Sequence, residues 1–326
     1  MISCTEFIPS YSELFKYLDE RYGYPEVQRF WSYLFKPDGK GIPLVNFVKK
    51  DGLRGAVEYW NGTLKEEAAD VTRWFNEEEG WAYSEMHYCP SKGRLLKMKE
   101  ELGVEPYAHY CDHCEYYRPA LEMYGLRYYR NSLHVDEARC SSMIFDPKIF
   151  KGGMSMNGNT KKIEYRSGNL EYFHRDFHSS MNMGIQYLGE NYGEEAVRDY
   201  LSLYARRVYA REIDDIRARG LEAIEAKIRD TYDKEHAPEV LTIHRTDDRL
   251  DVSIEHCPAV KHLRDTGREV TQWYPLTTSV VMEVFAGACG ASFAMDSYDD
   301  ATGAARYHFA INSSRAASAP RNSGGA

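Results

Sequence analysis

The chain lacks a run of apolar residues long enough to cross a membrane. Its most apolar stretches, such as Thr278–Phe285, are far shorter than the roughly 18–20 residues that a membrane span requires. The first residues, Met1–Cys4, also lack the basic and then apolar layout of a secretory signal. We therefore expect a cytoplasmic protein with no membrane partner.

Long basic runs are absent as well, and the formal net charge is -9. Because binding to phosphates requires a concentrated surface of lysine and arginine, we expect no nucleic-acid partner. Cysteines are few and odd in number, seven in all. In a reducing compartment such thiols are metal ligands, nucleophiles or core residues more often than disulfides.

The rest of the composition is that of a soluble globular protein, with 43% hydrophobic and 28% charged residues in a chain of 326. This length allows two ordinary domains or one large one. The 26 tyrosines are the unusual feature. A tyrosine joins an apolar ring to a polar tip, which suits a ligand-lining wall, and half-buried strands explain the number equally well.

An internal repeat organises the sequence. Residues 17–23 resemble residues 187–193, and residues 86–90 resemble residues 254–258 at almost the same separation. Two matched blocks in the same order indicate a duplicated unit. We predict a first α+β repeat over 1–150, a Gly/Asn-rich linker over 151–170, a second and degenerate α+β repeat over 171–312, and a disordered tail over 313–326.

Periodicity in the second repeat predicts helices first and then a small antiparallel sheet with further helix, an α+β arrangement. Residues 188–208 show helical spacing interrupted at Gly193, which predicts a helix pair. Residues 213–236 predict one solvated amphipathic helix. Apolar alternation over 240–243 and 250–254 predicts a hairpin, and Cys257-Pro258 ends that strand before a short helix.

Four cysteines of the first repeat form a candidate metal site. A C-x-x-C pair can place two thiolates on one ion, and structural Zn²⁺ takes four Cys or His ligands. Two alternatives remain: small buried core thiols at the outer positions, or a redox disulfide within the C-x-x-C pair. The predicted Zn²⁺ ligands are Cys89, Cys111, Cys114 and Cys140, for any of which His109, His113 or His134 can substitute.

The second repeat keeps only Cys257 of this set. Pro275, Thr277 and Thr278 stand opposite Cys111, His113 and Cys114, and residues 303–305 stand opposite Cys140. If the fold persists without the cluster, the cluster has a role of its own in the first repeat. A separate pair, His174 and His178, has the i, i+4 spacing of metal ligands, but we interpret it as a solvated helix start.

The first repeat resembles the family of L-2-amino-thiazoline-4-carboxylic acid hydrolase. The resemblance rests on Cys89-Pro90, Leu102-Gly103, the segment from Cys111 to Cys114, Gly125, and Cys140 followed by Phe145. It implies hydrolysis of a small cyclic amidine or amide, by attack of water on a C=N carbon. In that reaction His113 or His109 would act as general base, and Cys111 is a candidate covalent nucleophile.

A more distant likeness is to the ligand-sensing modules related to vinyl reductases, which carry a cysteine-rich zinc site. It implies a non-catalytic protein that contains zinc and binds a small molecule. A third hypothesis is an interaction protein with a structural zinc ion only. A small-molecule partner is expected under the first two hypotheses, and self-association into a homo-oligomer is left open.

Overall fold

The computed structural model describes residues 1–36, 41–156 and 158–311, which form two compact units. The N-terminal unit is Cys4–Gly184. The C-terminal unit begins at Ile185 and includes the first three residues, Met1–Ser3. Each unit combines α-helices with an antiparallel sheet, so the predicted α+β class is confirmed. The tail predicted over 313–326 lies outside the described residues.

The N-terminal unit contains five α-helices and a five-stranded sheet of order β3-β4-β2-β1-β5 among its described residues. A 3₁₀ turn, Tyr110–Tyr116, precedes the fifth helix. The elements are α1 (Phe7–Tyr22), α2 (Tyr24–Leu34), α3 (Leu44–Glu66), β1 (Asp70–Asn76), β2 (Trp81–Tyr88), α4 (Pro90–Leu102), α5 (Tyr117–Met123), β3 (Arg127–Asn131), β4 (Cys140–Phe145) and β5 (Lys161–Tyr165).

One face of this sheet is covered by helices, because α3 and α5 present apolar side chains to it. The core joins Val45, Ala56 and Val57 of α3 to Leu121 of α5. The sheet contributes one buried residue from each of four neighbouring strands, which lie opposite one another in register. This apolar row is Phe75, Ala82, Ile144 and Tyr128.

Helix α3 is kinked in its first half. Asp51 and Gly52 have non-helical backbone angles, and Gly52 has φ +55, in the region that favours glycine. The chain folds so tightly here that Gly55 lies against the backbone of Phe47. The kink therefore sets the direction of the second half of α3, which runs along the sheet.

The C-terminal unit contains a four-stranded sheet of order β6-β7-β9-β8. Its helix α6 begins in the N-terminal unit and crosses the division at Ile185. The elements are α6 (Phe177–Tyr192), α7 (Glu194–Val208), α8 (Ala210–Arg219), α9 (Leu221–Lys234), β6 (Leu241–Arg245), β7 (Arg249–Ile254), α10 (Pro258–Asp265), α11 (Leu276–Cys289), β8 (Ala291–Tyr298) and β9 (Ala305–Ile311).

Several local predictions are confirmed here. The helix pair breaks at Gly193, the hairpin forms from β6 and β7, and Pro258 opens a helix directly after Cys257. The single helix predicted over 213–236 is wrong. It is two helices, α8 and α9, because Gly220 between them has φ +62.

The segment predicted as a linker, 151–170, needs correction. It contains β5, which pairs with β1 from Val71↔Tyr165 to Phe75↔Lys161 and completes the first sheet. The charged residues of β5 hid this strand, since an edge strand needs only one apolar position toward the core. Within the described residues, no helix combines the length and apolar character needed to span a membrane.

Candidate functional site

The N-terminal unit encloses a cavity of about 190 Å³ between its sheet and the helices that cover it. Aromatic side chains form much of the wall, among them Phe7, Phe35 and Trp60. Five tyrosines also contribute: Tyr11, Tyr59, Tyr110, Tyr117 and Tyr128. Part of the tyrosine excess thus lines a cavity, one of the two explanations that the sequence allows.

The floor of the cavity is a row of polar residues across the sheet. Arg73 of β1 pairs in register with Ser84 of β2, Ser84 with Ser142 of β4, and Ser142 with Arg130 of β3. All four side chains line the cavity. The row lies two residues along the strands from the buried apolar row, as expected for side chains on the same face. The row therefore has a guanidinium group at each end and two hydroxyl groups between them.

Arg73 is deeply buried, with 3% of its surface exposed. Its Nε donates to Oγ of Ser84 over 2.9 Å, and its Nη1 donates to the carbonyl oxygen of Val57 over 3.1 Å and to Oδ1 of Asn61. Burial lowers the pKa of Arg73 to about 10, and no carboxylate among the described residues offsets that effect. Arg73 is thus a rigidly held cation without an acidic partner.

The four predicted cysteine ligands all line the cavity. Cys89 follows β2 and caps α4, Cys140 begins the neighbouring strand β4, and Cys111 and Cys114 lie on the 3₁₀ turn. The backbone N–H of Cys89 donates to the carbonyl oxygen of Ala138 over 2.6 Å, which ties the end of β2 to the start of β4. None of the seven cysteines, all of which lie within the described residues, forms a disulfide bond.

The electrostatics of these thiols are dominated by burial. Burial, and then the negative charges of neighbouring thiolates, raise the pKa of Cys89, and they raise the pKa of Cys111 to about 12. Burial also raises the pKa values of Cys114 and Cys140. Arg130 opposes this, because its positive charge acts to lower the pKa values of these thiols, and its Nη1 donates to the carbonyl oxygen of Cys111 over 2.8 Å.

His113 lies beside Cys114 in the cavity wall. Its Nδ1 hydrogen-bonds the carbonyl oxygen of Tyr110, and a carbonyl can only accept, so Nδ1 carries the proton. Nε2 is then an acceptor, and it lies 3.6 Å from the sulfur of Cys114. Burial lowers the pKa of His113 to about 4, so the ring is neutral at physiological pH. The tautomer suits either a metal ligand or a general base.

The donor chemistry of the cluster fits zinc, but the sulfurs are spread. Tetrahedral Zn²⁺ with Zn–S bonds of about 2.3 Å brings sulfurs to roughly 3.8 Å from one another. Among the described residues, no three ligand atoms of the Cys89, Cys111, Cys114, Cys140 and His113 set lie within 4.8 Å of one another. The thiol side chains would have to turn inward to share an ion.

Of the other histidines singled out in the sequence, His174 also lines the cavity, whereas His109, His134 and His178 do not. His109 is outside the cavity lining, with about half of its side chain exposed, and its Nδ1 lies 3.0 Å from Oδ2 of Asp112. His134 is also exposed and contacts Glu137. The prediction that His174 and His178 form a solvated helix start is wrong, because both side chains are buried. His174 precedes α6 and hydrogen-bonds Glu66 at the end of α3.

Sequence reasoning missed the floor of the cavity and the two acidic residues of its wall, Glu67 and Asp176. Glu67 lines the cavity, accepts a hydrogen bond from Oγ of Ser91 over 3.4 Å, and has a pKa raised by burial. The alternation of Val71, Arg73 and Phe75 was the available signal for Arg73, since it puts an arginine on the apolar face of a strand. Comparisons with protein-family models, curated proteins and solved structures return no match for this chain.

Proposed function

We propose that the N-terminal unit binds one small organic molecule in its cavity, beside a zinc ion held by the cysteine cluster. The observation that carries the proposal is a cavity of about 190 Å³ whose aromatic wall surrounds a few convergent polar groups. Ligand sites combine these features. An apolar cavity of about 150 Å³ holds benzene, so this one suits a single ring with one or two small substituents.

The zinc ligands in this proposal are Cys89, Cys111, Cys114 and Cys140. Four thiolates fill a tetrahedral site and leave no open position for water, so the ion would be structural. It would link the end of β2, the start of β4 and the 3₁₀ turn, all of which border the cavity. Arg130 supports the assignment, because its positive charge lies against the sulfurs that zinc would hold as thiolates.

Metal analysis tests the zinc assignment. Protein purified without chelator should contain one zinc per chain, and the double variant Cys111→Ser/Cys114→Ser should contain none. Cys289→Ser is the matched control, since Cys289 ends α11 in the C-terminal unit and lies outside the cluster. A parent protein without metal, or a double variant that retains it, contradicts the assignment.

A second candidate is hydrolysis of a small cyclic amidine, and the pairing of His113 with Cys114 favours it. Nε2 of His113 can take a proton from water as the water oxygen adds to the C=N carbon. Glu67, a carboxyl group in the cavity wall whose pKa is raised by burial, can return a proton to the departing ring nitrogen. This reaction uses the same cavity and adds turnover to binding.

A turnover assay separates the two candidates. The substrate to offer is L-2-amino-thiazoline-4-carboxylate, and chromatography follows its disappearance. If the hydrolase candidate holds, His113→Gln abolishes turnover and His109→Gln does not, because His109 lies outside the cavity. Binding of small ring compounds without turnover in the parent favours the non-catalytic protein.

We further propose that the two units arose by tandem duplication. The strand order β3-β4-β2-β1 corresponds to β8-β9-β7-β6. In both units a Cys-Pro pair begins the helix after the second strand of the hairpin, at Cys89 and Cys257. The cysteine N–H donates in each case to a carbonyl just before the last strand of that motif, at Ala138 and Thr302. Only the first unit carries the full cysteine set.

A further inference from the structure

The charge of Arg73 is unexplained by the fold of the N-terminal unit. A buried cation normally has an acidic partner, because removing a charge from water is costly. Arg73 is 3% exposed and forms no ion pair with a described residue; its hydrogen bonds go to Ser84, Val57 and Asn61. These bonds use Nε and Nη1, and they leave Nη2 for the cavity that Arg73 lines.

The second arginine of the floor is in a different position. Arg130 donates to the carbonyl oxygen of Cys111, and its positive charge already interacts with the thiols of the cysteine cluster. It lies three strand spacings from Arg73, about 14 Å along the row of backbones. The two arginines therefore act at opposite ends of the floor.

Ser142 adds a hydroxyl to the floor between them. It lies opposite Ser84 in the strand register, lines the cavity, and makes no side-chain hydrogen bond to another described residue. Ser84 accepts from Arg73 and keeps its own hydroxyl proton for a second partner. The Arg73 end of the floor thus offers the Nη2 group of a guanidinium and two hydroxyl groups as hydrogen-bond donors to a group in the cavity.

Under the proposed duplication, the C-terminal unit has a sheet of the same strand order without this polar row. The corresponding residues, paired in the same strand order, are Ile243, Val252, Tyr307 and Met295. Val252 and Tyr307 are buried, each 2% exposed. An apolar row serves this architecture, so the polar row in the N-terminal unit has another role.

We infer that the ligand of the cavity is a small ring carboxylate and that Arg73, with Ser84 and Ser142, binds its carboxylate group. The inference rests on the proposed small-molecule function and deepens it. Guanidinium recognises carboxylate through charge-assisted hydrogen bonds, and here the arginine is held in place before the ligand arrives. The ring then lies against the aromatic wall, and its far end points toward the cysteine cluster.

The test compares matched acids and amides by ligand-detected NMR titration of the full chain. The probes are benzoate and thiazole-4-carboxylate, each with its neutral carboxamide. We expect the acids to bind more tightly than the amides in the parent. Arg73→Gln should weaken the binding of the acids by roughly 10- to 100-fold, the range for losing a charged hydrogen bond, and leave the binding of the amides unchanged.

Arg166→Gln is the matched control, since Arg166 flanks the same sheet at Asp70 and Val71 but lies outside the cavity. Equal binding of acids and amides overturns the inference and leaves the small-molecule function standing. Absence of binding by every probe overturns both. An acid preference that survives Arg73→Gln overturns the assignment of Arg73 as the carboxylate anchor. If that variant does not fold, the outcome is decided by the preference for acids over amides in the parent and in Arg73→Lys.

Discussion

Replacing Gly55 by alanine should destabilise the N-terminal unit, against the usual effect of this substitution in a helix. Alanine normally stabilises a helix interior relative to glycine by about 1 kcal/mol. At Gly55, however, an added Cβ would lie 2.0 Å from the carbonyl oxygen of Phe47 and 2.6 Å from its carbon. These are backbone atoms of the folded-back start of α3, and they cannot rotate away.

The magnitude follows from that overlap. Ordinary contact begins near 3.4 Å, so the two parts of α3 would have to separate by about 1.4 Å. Overpacking of a filled core costs roughly 1–3 kcal/mol, and contact with backbone belongs at the upper end. After the gain in helix propensity, we expect a net loss of about 2 kcal/mol in the free energy of unfolding.

Gly62→Ala is the control within the same helix. Gly62 is exposed, and an added Cβ meets nothing within 4 Å, so we expect a gain of about 0.5–1 kcal/mol. Urea unfolding followed by far-UV circular dichroism should move the midpoint in opposite directions for the two variants. If Gly55→Ala is as stable as Gly62→Ala, the close approach within α3 is refuted.

Two further predictions concern titration. Burial lowers the pKa of His174, but the hydrogen bond to Glu66 and the charge of Glu67 outweigh it and leave a raised pKa. The resulting stabilisation of the folded protein is complete below about pH 6.5 and is lost as pH rises through the folded-state pKa of His174. In urea unfolding, His174→Gln should therefore lower the free energy of unfolding more at about pH 6 than at about pH 9. Equal losses would contradict this. The second prediction concerns the thiol of Cys111 in metal-free protein, whose pKa is about 12. At pH 8 its alkylation by iodoacetamide should be slower than that of a free cysteine on the order of 1000-fold, and the rate should rise about tenfold per pH unit. Rapid labelling of Cys111 in a peptide map would refute this.

The sequence predicts local elements of this protein better than its cavity. The hairpin of β6 and β7, the break at Gly193 and the helix after Cys257 depend on short-range signals and were predicted. The presence of Cys89 and Cys140 in the lining of one cavity depends on strands β2 and β4 being neighbours. The repeat predicted from the sequence places these cysteines in one unit, but it gives no strand order.

The polar floor was beyond prediction for the same reason. Its four residues come from β1, β2, β4 and β3, and neighbours in the row are separated by 11 to 58 positions in the chain. No local pattern contains that pairing. The charge of Arg73 could be noticed between Val71 and Phe75, but its lack of an acidic partner is a property of the assembled core.

The contrast between the two sheets leads to a last prediction, that the polar floor lowers stability. Removing one partner of a buried polar pair leaves the other unsatisfied, whereas replacing both by apolar groups of similar shape is often neutral or stabilising. Under the proposed duplication, the register pair Ile243 and Val252 of the C-terminal unit corresponds to Arg73 and Ser84. We therefore expect the double variant Arg73→Met/Ser84→Val to be at least as stable in urea as the parent and more stable than Arg73→Met alone. The double variant should also lose the preference for ring carboxylates over their amides. A double variant that unfolds more easily than the single one would mean that Arg73 and Ser84 hold the fold together and that their bond is not kept for a ligand.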